Sequence, residues 1–521
     1  MNLSYRHMFD MGFGRMIPFM SKFVLPGDVW RVGANCLIRY QPLFAPPLSK
    51  ANARLRYFFV PLRLVEEDTE KIITGSDNGK LIETTLPEFK GIFSEVTSSG
   101  NYTVAKNSIM DYLGMPCLDY TSIKDDKSIP ALYWLKGILR CWFDYYRDEN
   151  LNSDSDFDTW LATLLPQGGQ LMPLSVNLRK DYFTSSLPWQ LKGATPSFSI
   201  TATGNIDYTD AIPDPSEYSS SSSYTFSGIH TTTGEDVFVP RVNGGTTTQP
   251  SSIPDMINLL NSGKIDINAG TFNMDDLRTM AAQTRVFERL ARCGSRYTEY
   301  LKSNFNGIAP SDGTLQRAQY LGGFKQPIVT TEVVQTAEDG TTPVGTLRGH
   351  GISSSSNTIK PHMFKEFGMI FGFIDIVPDL AYTQGINREL TYKSRFDFFN
   401  PSFQHLSEQE VRNGELYIDN SDGKNDETFG FQAIYNELRS SQDKISGELR
   451  GNLNTWTQAI TFASRPNLNE SFIQALSYES DFMRPFAVQS GSNPIIVDLF
   501  NNLDVYRPMV KYGTPGLIDH L

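Results

Sequence analysis

Three aspartates at alternate positions, Asp154, Asp156 and Asp158, open like a calcium-binding loop. Such a loop needs glycine at its sixth position and glutamate at its twelfth, where this chain carries Thr159 and Leu165. The run therefore reads as a solvated acidic turn ahead of a helix. Histidines stand at positions 7, 230, 350, 362, 405 and 520, with no HxxxH or HExxH spacing, so each reads as a structural or surface residue rather than a metal ligand. Gly12-Phe-Gly14 lacks the third glycine and the preceding strand of a dinucleotide fingerprint, and no phosphate-binding GxxxxGK[ST] occurs. Gly351-Ile-Ser353-Ser354-Ser355 lacks the closing glycine of a nucleophile elbow. Glu66-Glu67-Asp68 is an acidic run of a kind common on surfaces. Cys36, Cys117, Cys141 and Cys293 form no CxxC pair and read as buried, reduced thiols. Nothing here assembles a catalytic or metal centre, so the expectation is a protein that is not an enzyme and carries no cofactor and no metal.

Two dense basic groups remain: Arg278, Arg285, Arg289 and Arg292 on one helix, and Arg54, Arg56 and Arg63. The first reads as a solvated helix face and the second as a strand edge. The alternative is weak, sequence-independent phosphate contact, since Tyr57, Phe58 and Phe59 flank the second group as aromatics do on base-stacking surfaces. Strand alternation already accounts for most of those rings as core.

The elements around these residues are mostly strands. VWRVGANCLIRY follows the turn signal Gly27-Asp28 and alternates at Val29, Arg31 and Ile38 to Tyr40. In ARLRYFFVPLRLV, Leu55, Tyr57 and Phe59 alternate with Arg54, Arg56 and Phe58, which predicts a strand with one buried face. FGMIFGFIDIV, residues 367–377, is a continuous apolar run and predicts a strand buried on both faces. It is too short to span a bilayer, which takes about 20 residues. Leu132, Leu135, Ile138, Leu139 and Trp142 recur at helical spacing. A second helix is predicted from Asn273, with Asp275 and Asp276 in its first turn and an apolar stripe of Leu277, Met280, Thr284, Phe287, Ala291 and Gly294. Such a stripe implies packing on another layer.

Residues 195–265 change character to Ser, Thr, Gly, Pro and Tyr, with a serine run at 219–223. Strand-like patches at YTFSGI and DVFVPRV favour a small, exposed, mostly β excursion over disorder. Residues 392–417 are aromatic and irregular. Many strands, few helices and long connections predict a β-sandwich elaborated by insertions.

The chain has 521 residues, 40% hydrophobic and only 20% charged, with 34 Phe and 23 Tyr. A large core is available. The net charge of −12 makes it a poor sole binder of nucleic acid, because phosphate neutralisation supplies most of that affinity. A separate basic molecule could neutralise a genome that the chain enclosed. The start, MNLSYRHMFDMG, has no apolar core and no cleavage site of a secretory signal, so a soluble cytoplasmic product is expected.

Several blocks carry a family likeness. VLPGDVWRV is followed by PLFAPPLSKANARLRYFFVPLRLV; ERLARCGSRYTEYLKSNFNGIAPSDGTLQRAQYLGG, PDLAYTQGINREL and RFDFFNPSFQHLSEQEV come next; the tail is YRPMVKYGTPGLIDHL. In order and content these resemble the major capsid proteins of the Microviridae, small icosahedral single-stranded DNA bacteriophages. The RYTE and YLGG blocks place the likeness nearest the gokushovirus-like branch. The start is short and residues 195–265 match no family block.

The resemblance implies a mainly β fold: a single eight-stranded jelly-roll β-sandwich with long insertions and a few helices. It implies four regions. Residues 1–194 are the N-terminal part of the jelly roll with a helical insertion, and 195–265 a surface protrusion. Residues 266–360 are a helix and connecting loops, and 361–521 the C-terminal strands and extended tail. It also implies a virion protein, assembled in the bacterial host cytoplasm, of which about sixty copies close a T=1 shell. Implied partners are the chain itself, a small basic DNA-packaging peptide, the single-stranded DNA genome (weakly and indirectly), scaffolding and DNA pilot proteins, and a host surface receptor, with glycan as one class. Tyr218, Tyr224 and Phe226 flank the serine run and are the candidate host-contact residues of a protrusion at the threefold axis. Tyr512, Pro515, Gly516, Leu517 and Ile518 lie in an extended tail rich in turn formers and are candidate assembly residues. The competing class is a glycan-binding β-sandwich protein, whose Tyr-rich and Ser/Thr-rich loops would hold sugar.

Overall fold

The computed structural model describes residues 1–77, 80–81, 88–93, 103–120, 129–152, 156–193, 223–230, 236–243, 274–293 and 296–305, residues 311–334 apart from 313 and 315, residue 345, and residues 347–509 apart from 405, 407, 422, 489 and 490. The chain divides into two compact units: Met1–Lys192 with Glu288–Leu521, and Gly193–Phe287.

Strands β1 (Tyr5–Met11), β2 (Ile17–Val24), β3 (Val29–Tyr40) and β4 (Ala51–Pro61) come first. Helices α1 (Tyr133–Tyr145) and α2 (Phe157–Leu164) follow. The second unit holds β5 (Ser223–His230) and β6 (Asp236–Asn243), an antiparallel pair. Helix α3 (Met274–Cys293) crosses into the first unit and is followed by α4 (Tyr297–Asn304). Then come β7 (Gln319–Val334), β8 (Leu347–Thr358), β9 (Gly368–Pro378), β10 (Glu408–Arg412), β11 (Thr428–Ala433) and β12 (Ile495–Tyr506).

Eight of these strands form one antiparallel path, β1-β12-β3-β8-β7-β4-β9-β2, with a two-residue strand, His362–Met363, added beside β3. The path is two four-stranded sheets, β1-β12-β3-β8 and β7-β4-β9-β2. Ranked by chain order among the eight, the first reads 1-8-3-6 and the second 5-4-7-2, which is the interleaving of a jelly roll. β7 joins the two halves: its first part, to Ile328, pairs with β4, and its remainder, from Val329, pairs with β8. At the opposite side the edge strands β1 and β2 meet through His7 Nδ1, 3.0 Å from the Phe19 carbonyl oxygen, and through Lys22, 4.4 Å over the Tyr5 ring. The barrel is thus nearly closed and leaves little unpaired edge.

Burial differs between the two sheets. β12 alternates, with Ile495, Val497, Leu499, Leu503 and Val505 buried and Ile496, Phe500 and Tyr506 exposed. β9 is buried throughout, as expected of its unbroken apolar run. One face of β9 lines the core; the other is covered by α1. Gly137 permits that approach, since a Cβ there would stand 2.8 Å from the Phe371 ring and 3.1 Å from the Met369 methyl. All five predicted helix positions from Leu132 to Trp142 are buried. The Trp142 ring stacks on Trp160 of α2 at 5.1 Å. Asp156 caps α2 by accepting from the Thr159 amide at 3.1 Å, so the acidic run is a helix start.

Four expectations need correction. β4 does not keep a single buried face: Phe58, read as alternating with Tyr57 and Phe59, is buried with them. Cys117 is exposed in a loop, whereas Cys36 and Cys141 are buried as expected. Arg54 is no strand-edge residue: β4 is interior to its sheet, and Arg54 pairs with fully buried Asp375 of β9. Leu277 of the α3 stripe is 45% exposed; Met280, Thr284 and Phe287 are half-buried and only Ala291 is buried.

Candidate assembly surfaces

Most large apolar side chains have an internal place in this fold. Those that do not fall into patches, and monomeric proteins seldom leave such patches uncovered. One follows β9. Residues 388–406 form an irregular strap on which Leu390, Phe396, Phe398 and Phe399 are 77%, 61%, 58% and 51% exposed. The strap is held from beneath. Arg388 reaches Glu415 at 3.1 Å and Glu437 at 3.8 Å. Tyr182 donates to Glu415 at 2.8 Å and Tyr392 to Glu437 at 2.9 Å. Burial pushes the Glu415 carboxyl above its ordinary value, against the opposing pull of the Arg412 amide and Arg388. Asp397 accepts the Lys393 and Ser394 amides at 2.8 and 2.6 Å. The rings brace each other: Phe399 against Tyr435 at 5.0 Å, Tyr392 against Phe398 at 5.7 Å, Phe396 against Phe403 at 6.1 Å. Beneath them lies a cavity of about 320 Å³ lined in part by Phe403, Leu406 and Tyr435. The result is apolar surface already fixed in place, which loses little entropy when covered.

The outer face of the β1-β12-β3-β8 sheet is a second uncovered surface. Its register sets Met8 opposite Asp498, and Arg6 opposite Phe500, which in turn faces Asn35. Met8, Ile352, Ile496 and Phe500 are exposed there. Arg6 pairs with Asp498, and Asn35 accepts from Ser356 at 2.6 Å and Asn502 at 3.2 Å. A third patch is on α4, where the exposed Tyr297 and Tyr300 rings lie parallel at 6.4 Å beside Phe305.

Of the residues singled out from sequence, Tyr224 and Phe226 lie on β5, opposite Val242 and Pro240 of β6. Tyr218, and Tyr512, Pro515, Gly516, Leu517 and Ile518 of the tail, lie outside the described residues. The start of the tail is well defined. Arg507 clamps fully buried Asp28 at 2.7 Å, and the Leu25 amide and Trp30 Nε1 donate to the same carboxylate at 3.0 Å each. Burial alone would raise the Asp28 carboxyl; the hydrogen bonds from Arg507, Leu25 and Trp30 outweigh it and hold the group below its ordinary value. Sequence reasoning missed this clamp and the Arg388 cluster. Gly27-Asp28 was legible as a turn, but nothing local ties it to a residue 479 positions away.

Among the described residues, no group of three or more His, Cys, Asp and Glu is placed to hold a metal ion, and no helix is long and apolar enough to cross a membrane. A jelly roll that carries fixed, exposed apolar surfaces has faces on which further chains can pack. The comparisons with known proteins give the family: residues 1–517 match the model described as capsid protein (F protein), and the chain belongs to that family. It is similar to "Capsid protein VP1" of Chlamydia phage 1, 31% identical with 98% of this chain and 94% of the relative covered. Similar relatives of the same printed name come from Bdellovibrio phage phiMH2K, 29% identical over 97% and 92%, and from Spiroplasma virus 4, 25% identical over 97% and 92%. These are Microviridae capsid proteins of the gokushovirus-like kind.

Proposed function

We propose that about sixty copies of this chain close a T=1 icosahedral shell around a single-stranded DNA genome. The observation that carries the reading is the braced strap at 388–406, apolar surface fixed in advance and left exposed among the described residues. Heterologous contacts between that strap and another face, repeated around symmetry axes, would generate closure. The net charge of −12 calls for a counter-charge beside the genome; a small basic packaging peptide would supply it, with scaffolding and DNA pilot proteins as transient partners. Residues 195–265 would project outward near the threefold axis and carry host attachment through Tyr218, Tyr224 and Phe226, with surface glycan as the first ligand class to test.

Sedimentation of the purified chain tests the shell. About sixty chains of 58.6 kDa make a particle of about 3.5 MDa, visible as closed shells by electron microscopy. A chain that stays monomeric under every assembly condition, yet binds an immobilised glycan, would instead favour a glycan-binding β-sandwich protein. For attachment, residues 215–230 are replaced by a Gly/Ser linker. Intact particles with reduced adsorption support the receptor role, and intact particles with unchanged adsorption remove it.

A further inference from the structure

A cavity of about 520 Å³ opens in the first unit between β4, the end of α1, the stretch from Asn177 to Lys180, and Arg292 and Arg296. Seven cationic side chains line it against three carboxylates, an unexpected balance in a chain of net charge −12. Most of the cations are already matched. Arg54 holds buried Asp375, and Arg292 holds buried Glu408. Arg296 and Arg147 share Glu149 at 3.1 and 3.5 Å, and Lys180 meets Asp148 at 2.6 Å. At the mouth Arg179 reaches Asp379 only at 3.6 Å and stays largely exposed.

Arg56 is different. It stands two residues from Arg54 on the same face of β4 and is half-buried. Its guanidinium lies 4.9 Å over the Tyr146 ring. Among the described residues no carboxylate comes within ion-pair distance of it; Asp375, held by Arg54, attracts it from farther off. The ring covers one face of the guanidinium, and a bidentate acceptor would meet it edge-on. Burial disfavours the charged guanidinium, but the Tyr146 side chain and the more distant Asp375 carboxylate outweigh it and raise its pKa, so the cavity presents a permanent cation that an entering anion can meet.

We propose that this cavity binds a phosphate group, gripped by Arg56 with Arg179 closing over it from the mouth. Arginine presents its donors in a fork that matches phosphate oxygens bidentately. Phosphate, with several acceptor oxygens, can meet Arg56 and Arg179 together. The volume exceeds that of a bare phosphate and falls in the range of small-ligand clefts, leaving room for an attached nucleoside. The group can arrive on a small phosphomonoester or along the backbone of single-stranded nucleic acid. The proposal stands on the cavity and does not depend on the shell reading.

Calorimetric titration of the full chain with inorganic phosphate, thymidine monophosphate and a short oligothymidylate at low salt tests it. The expected result is binding of at least one probe, weakened at least about tenfold in Arg56→Gln, the loss expected for a charged bidentate contact. Arg395→Gln, which removes the same charge from the exposed strap, should bind as the parent does. Binding of the monophosphate without the oligomer assigns the site to a small ligand. Tighter binding of the oligomer, again dependent on Arg56, assigns it to nucleic acid. If Arg56→Gln does not fold, Arg56→Lys keeps the charge without the fork and must still weaken binding. The proposal is overturned if the parent binds none of the three, if the Arg56 variants bind as the parent does, or if Arg395→Gln loses as much as Arg56→Gln.

Discussion

At the scale of single residues, the clamp between Asp28 and Arg507 carries the sharpest consequence. It ties the β2–β3 turn to the end of β12 and so determines where the last residues leave the fold. Asp28 is fully buried and the Arg507 side chain is 15% exposed. Removing one partner leaves the other charge without compensation, and Asp28→Ala should cost about 3–5 kcal/mol in denaturant titrations. The pH dependence has a definite sign. The folded Asp28 carboxyl sits below its ordinary value, so the fold binds a proton there less readily than the unfolded chain. That contribution is complete above the unfolded value of about 3.9 and is lost as pH falls through the lower folded value. Melting temperature followed downward from neutrality should therefore drop more steeply below about pH 4 in the parent than in Asp28→Asn. Equal slopes would show that the clamp does not couple to protons.

At the scale of elements, α1 on β9 tests the packing. Alanine is worth about 1 kcal/mol more than glycine in a helix interior, so propensity alone says that Gly137→Ala should stabilise. The structure says the reverse, because the new Cβ would enter the Phe371 ring, and overpacking costs about 1–3 kcal/mol. Urea titration should find the variant less stable than the parent by up to about 2 kcal/mol, the difference of those two effects. Helix α3 gives a contrasting case. Its stripe was readable, but Phe287 is half-buried. Phe287→Ala should thus cost the isolated chain only about 1–2 kcal/mol, below the 3–5 of a fully buried ring.

At the scale of the whole molecule, the strap separates folding from assembly. Phe396, Phe398 and Phe399 are exposed, and exposed substitutions usually shift stability by no more than about 0.5 kcal/mol each. Replacing all three with serine should leave the circular dichroism and melting of the monomer close to the parent while abolishing 3.5 MDa-class particles of about sixty copies in sedimentation. Normal particles would move the assembly contact elsewhere. Deleting residues 512–521 should likewise abolish particles and leave soluble protein, and normal particles from that truncation would remove the tail from assembly.

The sequence by itself determined that β9 is buried on both faces, because apolar run length is a local quantity; β4, read as having one buried face, also buries Phe58 and Val60 on the other. The unbroken burial of β9 was readable, as was the α1 stripe from Leu132 to Trp142, whereas the alternation of β12 came only from the structure. The ordered family blocks, from VLPGDVWRV to the PGLIDH ending, carried the kinship without reference to any fold. Tertiary structure alone decided the partners. Period-two alternation says that a face is buried but not against what, so the pairing of β1 with β12, the clamp of Arg507 on Asp28, and Asp375 claimed by Arg54 rather than Arg56 lay beyond local reading. The same limit hid the difference between Leu277, left exposed on α3, and Ala291, buried on the same stripe. An amphipathic pattern names the face that can be covered, and only the fold and its neighbours determine how far along the helix the cover extends.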